Sequence, residues 1–265
     1  MSLSKPKIAL HGASGRMGAA MLALCREAHI PIVGAIVHPH APEVGQDLGE
    51  AHGTSTYGVA ICGDASTGLL GADVVVDFSH ASAFLGLARA ARKNQVPVVT
   101  GTTGLDDEAI AALDALASVV PVLWASNFSL GIQVLVEVAR HAVKRLGPGF
   151  DVELVDVHHR RKADAPSGTA ARLVREVQDV RGGLEPCYGR QGLVGQRPDE
   201  QLGVMALRGG DVIGDHTLHL LGPGERLELT HRATSREVFA RGALLAAQSL
   251  PGRPPGRLSL ADILL

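Results

Sequence analysis

The densest chemistry in the chain is the run His158-His159-Arg160-Arg161-Lys162-Ala163-Asp164-Ala165-Pro166-Ser167-Gly168-Thr169-Ala170. Imidazoles exchange protons near neutral pH, and an ammonium group stabilises developing negative charge. Pro166 introduces a turn, after which Ser167, Gly168 and Thr169 open a helix whose free N–H groups and Thr169 hydroxyl suit an anion. Three other readings compete with an active site. A nucleic-acid patch fits poorly with so short a run and no aromatics. A solvated basic loop fits any basic run. A metal site is disfavoured because adjacent histidines on a strand point to opposite faces. What favours a site is the combination: Lys162 and His159 add charge and donors beside the helix start, and a second histidine is free for proton transfer. Such a pocket suits a small carboxylate, or two.

A second motif, Gly12-Ala13-Ser14-Gly15-Arg16-Met17-Gly18, lies between a short apolar run and a helical stretch. The spacing predicts a tight turn whose bare backbone approaches a pyrophosphate, with a helix N-terminus behind it. The ribose-binding acid expected about 20 residues further on is missing. Val37-His38-Pro39-His40 stands there instead. A protonated His38 meets a 2′-phosphate, a neutral one hydrogen-bonds a ribose hydroxyl, and a solvated loop histidine fits equally. The choice between NADH and NADPH therefore stays open. Gly101-Thr102-Thr103-Gly104 and Ser126-Asn127-Phe128-Ser129 follow apolar runs as well. Loops at the carboxyl ends of parallel strands are placed to touch a nicotinamide and its ribose, although turns and caps favour the same residues.

The elements that must position these groups change character part-way. Ile8 to His11, Ile32 to Val37, Val59 to Cys62, Asp73 to Asp77, Val96 to Thr100 and Pro121 to Ala125 read as strands. Arg16 to Ala28, Ser82 to Lys93 and Asp106 to Ala117 read as helices between them. Continuous apolar strands alternating with helices predict an α/β domain, a Rossmann-like doubly wound parallel sheet. After about Asn127 come a helix from Leu130 to Leu146, a strand from Asp151 to Val157 and a helix from Gly168 to Val180. A loop from Arg181 to Gly203 follows, then strands Val204 to Leu207, Asp211 to Leu221 and Arg226 to His231. This predicts a smaller α+β domain with a mixed or antiparallel sheet. A helix from Ser235 to Ser249 precedes a Pro-rich tail.

Composition narrows the function classes. The 265 residues carry a formal charge of −2 and only 3% aromatics, which speaks against binding nucleic acid by bulk charge or by base stacking. No apolar run is long enough for a membrane span, and the stretch Met1 to Lys7 leads into no apolar leader segment. Cys25, Cys62 and Cys187 are odd in number and far apart, as in a cytoplasmic protein with reduced thiols.

Taken together, Gly-x-x-Gly-Arg-Met-Gly, Gly-Thr-Thr-Gly, Asn-Phe-Ser-x-Gly and His-His-Arg-x-Lys-x-Asp-Ala-Pro-Ser-Gly-Thr-Ala, in that order, resemble the 4-hydroxy-tetrahydrodipicolinate reductase (dihydrodipicolinate reductase) family. The resemblance implies reduction of 4-hydroxy-tetrahydrodipicolinate with NADH or NADPH in lysine biosynthesis through diaminopimelate, and no metal. It implies His158 and Lys162 as proton donors, with His159, Ser167, Gly168 and Thr169 on the substrate carboxylates. It places Gly12, Ala13, Ser14, Gly15, Arg16, Met17, His38, Gly101, Thr102, Thr103, Ala125, Ser126, Asn127 and Phe128 on the nucleotide. The family's acid-Arg pair after the second strand is replaced here by His38 and Pro39. A nucleotide domain over 1–128, a substrate and oligomerisation domain over 129–237, and a helix and tail over 238–265 that return to the nucleotide domain are implied, as is a homotetramer. His52, His80, His216 and His219 receive no role. Another two-domain dehydrogenase, or a silent nucleotide sensor, would not need His158, Lys162 and Thr169 together.

Overall fold

The computed structural model describes residues 5–264; Met1 to Ser4, part of the stretch read above for a leader, lie outside them. The chain forms two compact units, one running to Phe128 and resuming at Phe239, the other Ser129–Val238.

The first unit is built in the order β1 (Ile8–His11), α1 (Arg16–Ala28), β2 (Ile32–Ile36), α2 (Leu48–Ala51), β3 (Ile61–Cys62), α3 (Ala65–Gly68), β4 (Val74–Asp77), α4 (Ala81–Asn94), β5 (Val98–Thr100), α5 (Asp107–Ala117) and β6 (Pro121–Trp124). β1, β4 and β5 are buried at every position, as strands covered on both faces must be. Phe84, Leu87, Leu113 and Leu116 pack against Val75, Val98 and Val122. Each such large side chain, fully buried, contributes roughly 1.5–3 kcal/mol.

In the second unit α6 (Leu130–Leu146) is followed by β7 (Asp151–His158), α7 (Gly168–Val180), β8 (Glu185–Cys187), β9 (Gln201–Arg208), β10 (Gly214–Gly222) and β11 (Glu225–Ala233). The chain then forms α8 (Glu237–Ser249), β12 (Gly256–Leu258) and α9 (Ala261–Leu264). Ser129 caps α6 and Ser167 caps α7, each accepting a backbone N–H from the first turn.

The first sheet is parallel, in the order β12-β6-β5-β4-β1-β2-β3. Its strand order reverses between β1 and β4, and the loops that part there open the crevice in which such sheets bind ligands. The second sheet, β11-β10-β7-β9-β8, is mixed: β10 runs antiparallel to β7 and β11, and β9 parallel to β7 and β8. The fold is thus a Rossmann-type α/β unit with a smaller α+β unit.

The structure corrects three local expectations. The expected loop from Arg181 to Gly203 contains β8 and the start of β9. Pro186 sits in β8 because that strand is an edge, where a missing donor costs little. Gly210 and Asp211 form a turn and Val212 and Ile213 are irregular, so β10 starts at Gly214. The Pro-rich tail supplies β12, which pairs with β6 as the seventh strand.

Candidate active site

In the first unit the glycine loop follows β1. Gly12 has φ +77°, and a Cβ there would lie 2.6 Å from the Phe78 carbonyl oxygen. Only glycine meets both constraints. A Cβ on Gly18 would collide with the Ala13 carbonyl, so α1 packs directly on the loop. Gly15 precedes α1 with no side-chain cap, and the first turn carries no acid. Ser14, Arg16 and Met17 are at least partly accessible, whereas Ala13 is buried. These are the features of an anion-binding helix start.

Behind the loop lies a buried polar node. The Asp77 carboxylate receives His11 Nδ1 at 2.8 Å, the Ser79 N–H at 3.0 Å, Thr100 Oγ1 at 2.7 Å and Thr102 Oγ1 at 2.8 Å. Burial alone would raise its pKa, but the bonds from His11, Ser79 and Thr100 outweigh that and hold it below the usual range. The node joins the ends of β1, β4 and β5. Gly101 lies against the Phe78 ring, and Trp124 Nε1 donates to the Thr102 carbonyl at 3.0 Å. Thr102 and Phe128 are buried, while Thr103 and Ser126 are exposed and Ala125 and Asn127 are half-buried. Phe128 packs edge-on against Phe78. Exposed His38 and Pro39 line a cavity of about 890 Å³, together with Asp64, Ser66, Arg89 and Lys93.

In the second unit every other residue of β7 is buried: Val152, Leu154, Asp156 and His158. His158 Nδ1 lies 2.9 Å from Asp156 Oδ1, off the line of the ring N–H. His216 Nε2 is 3.3 Å from the same oxygen, and the two imidazoles meet edge to face at 5.3 Å. Ser167 donates to Asp156 twice, from its N–H at 2.9 Å and its hydroxyl at 2.8 Å. Arg208 Nη2 completes the ring at 3.2 Å. Burial opposes the Asp156 charge, but the close ring nitrogens of His158 and His216 and the two bonds from Ser167 prevail and hold the carboxyl far below its ordinary range. Asp156, His158 and His216 form a compact donor set among the described residues. The Arg208 guanidinium on the same carboxylate opposes a cation there.

Lys162 pairs with Asp164 at 2.8 Å, and Arg208 Nη2 donates to the Asp164 carbonyl at 2.7 Å. His159 turns away from the buried face and is half-buried. Burial and the charges of Arg236, His158, Lys162 and Arg161 push its pKa down. Gly168 is exposed and Thr169 half-buried. The Ser167 hydroxyl, in contrast, is engaged with Asp156 and with the Ala170 N–H at 3.2 Å. It shapes the helix start from inside.

The histidines without an expected role also have places. His52 Nε2 donates to the Ala13 carbonyl, His80 caps α4, and His219 faces Glu228 across the sheet at 3.5 Å. His216 sits in the Asp156 cluster. Its strand alternation with Leu218 and Leu220, both buried, was the available signal.

Comparison with known proteins decides the family. The family description "Dihydrodipicolinate reductase, N-terminus" matches residues 6–128, and "Dihydrodipicolinate reductase, C-terminus" matches 131–264. The chain belongs to the dihydrodipicolinate reductase family. It is 44% identical over 262 residues to the 4-hydroxy-tetrahydrodipicolinate reductase of Anaeromyxobacter dehalogenans strain 2CP-1, covering 97% of each chain. It is also 44% identical to the enzyme of that name from Thiobacillus denitrificans, covering 97% of this chain and 98% of the other. The fold matches a dipicolinate-bound dihydrodipicolinate reductase from Paenisporosarcina sp. TG-14 with a TM-score of 0.78 at 22% identity, over 99% of this chain and 100% of that one. The family member described here is an oxidoreductase with a Rossmann unit of the nicotinamide-nucleotide type. No helix among the described residues is long and apolar enough to cross a membrane.

Proposed function

We propose that the protein reduces 4-hydroxy-tetrahydrodipicolinate to tetrahydrodipicolinate with NADH or NADPH, within lysine biosynthesis through diaminopimelate. One observation carries this reading. His158, Lys162 and the start of α7 are linked through Asp156, Arg208 and Asp164 in a chain 44% identical, over nearly its whole length, to a reductase of that name.

The first unit fits a dinucleotide. Its cradle at Gly12 is one that a Cβ would fill, and its 890 Å³ cavity lies beyond β2. Gly12 to Met17 would hold the pyrophosphate, His38 would border the adenosine end, and Gly101 to Thr103 with Ala125 to Phe128 would border the nicotinamide end. When bound, the nicotinamide supplies a hydride to the substrate ring.

The remaining work falls to the second unit. His159, Gly168 and Thr169 would hold the two carboxylates, the last two through the helix start and a hydroxyl. Ser167 would contribute by fixing that start. As the substrate hydroxyl leaves, taking a hydrogen from the neighbouring ring carbon to form water, Lys162 opposes the charge that develops on the departing oxygen. His158 then delivers a proton to the carbon next to the one that receives the hydride. One hydride and one proton enter, and one water leaves.

The outward faces of β7 and β9 carry Val155, Val157 and Leu207, which supports association through this sheet and the homotetramer we propose. Three unpaired cysteines support a cytoplasmic setting.

The test is His158→Ala and Lys162→Ala. Each should cut turnover by at least about 100-fold and leave nucleotide affinity within about twofold. Near-normal turnover in either variant would refute the role given to that residue.

A further inference from the structure

The period-two pattern of β7 puts Asp156 where Val152 and Leu154 predict a third apolar residue. A fully buried carboxylate at such a position is costly unless every oxygen is paired. Here each one is. Oδ1 meets His158 Nδ1, His216 Nε2 and the Ser167 hydroxyl; Oδ2 meets the Ser167 N–H and Arg208 Nη2. These partners come from β7, β10, β9 and the turn that opens α7.

We propose that Asp156 is a positioning residue that fixes, through one carboxylate, both the ring of His158 and the anion-holding start of α7. The proposal rests on the roles given above to His158 and α7. Three consequences of the geometry support it. First, the carboxylate oxygen 2.9 Å from Nδ1 repels a lone pair there, which disfavours the tautomer of neutral His158 with a bare Nδ1 and leaves Nε2 to exchange protons, even though the ring N–H is not aligned on the oxygen. Second, the two bonds from Ser167 lock the residue that caps α7, so Gly168 and Thr169 emerge from a fixed point. Third, Arg208 ties the carboxylate to the Asp164 carbonyl, and Asp164 pairs with Lys162, so the second donor hangs from the same node. The groups facing His158 are Asp156 on its own strand and His216 and the backbone of Gly214 on β10, while Ser167 before α7 bonds the same carboxylate. Arg208 on β9 reaches the shared carboxylate.

The test compares Asp156→Asn with the wild type by four readouts. Asparagine keeps the shape but carries no charge, and its NH2 donor must face either the Ser167 hydroxyl and the two histidines or the Ser167 N–H and Arg208. We expect kcat to fall about 100-fold, and affinity for pyridine-2,6-dicarboxylate to fall about tenfold. Affinity for reduced nicotinamide nucleotide should stay within about twofold. Nitrogen-15 spectra of wild-type neutral His158 should show the proton on Nδ1, and the variant should lose that preference. Turnover and dicarboxylate affinity within about threefold of wild type would overturn the proposal. So would a wild-type His158 protonated on Nε2, a result that stands even if the variant fails to fold. If His158→Ala instead keeps near-normal turnover while the tautomer and dicarboxylate results hold, the proton-donor role falls and the positioning by Asp156 survives.

Discussion

His52 Nε2 lies 2.8 Å from the carbonyl oxygen of Ala13, in the middle of the glycine loop. The bond crosses from the end of α2 to the loop and orients a peptide next to the backbone we propose faces a pyrophosphate. His52→Ala removes one neutral hydrogen bond of about 0.5–1.5 kcal/mol. Nucleotide affinity should fall about threefold to tenfold, with turnover at saturating nucleotide little changed; calorimetric titration with NADPH reads the first effect directly.

Gly214 opens β10 beside His158. A Cβ there would stand 3.0 Å from His158 Nε2 and 3.5 Å from His216 Cε1. Gly214→Ala should therefore push the imidazole off its place and lower kcat about tenfold. Nucleotide affinity, which depends on the other unit, should not move. Unchanged kcat would show that the ring does not have to stay where it is.

His38 stands just past β2, where a ribose-binding acid is expected, and lines a cavity that also carries Arg89 and Lys93. An acid at this place hydrogen-bonds the ribose of NAD and repels a 2′-phosphate. His38→Asp should shift the ratio of kcat/KM for NADH over NADPH upward by about tenfold. A ratio that stays put would place the adenosine end away from this residue.

Asp47 staples the segment around α2. Its carboxylate accepts from the backbone N–H groups of Gly49, Glu50, Tyr57, Gly58 and Val59. The bond from Tyr57, with further backbone bonds outweighing desolvation, lowers its pKa to about 2. Because the folded value lies below the unfolded one of about 3.9, its contribution to stability is full above about pH 5 and fades as pH falls towards 2. Urea unfolding of wild type and Asp47→Asn should differ most near neutral pH, and the difference should shrink by about pH 3.

The sequence carried the architecture where pattern and chemistry coincide. Strands buried on both faces read as unbroken apolar runs, so β1, β4, β5 and β6 could be placed, and the glycine spacing marked the loop after β1. What stayed hidden was set by tertiary pairing. β8 and β12 are three residues each, contain Pro186 and Gly256 respectively, and exist because β9 and β6 offer them an edge. Likewise β7 reads as a strand, yet Asp156 carries no signal of its own because a lone acid in a strand usually faces water. Its partners Arg208 and His216 lie 52 and 60 residues away in sequence, and only the folded sheet brings them to it.

The most direct test of the central claim is a coupled assay. Purified protein is mixed with the freshly made aldol product of pyruvate and aspartate semialdehyde, with NADH and NADPH in parallel, while the near-ultraviolet absorbance of reduced nicotinamide is followed. Rapid oxidation dependent on the aldol product is the expected result, and the NADH-to-NADPH ratio reports how His38 is used. Measurable nucleotide binding without oxidation of either cofactor would contradict the reductase assignment.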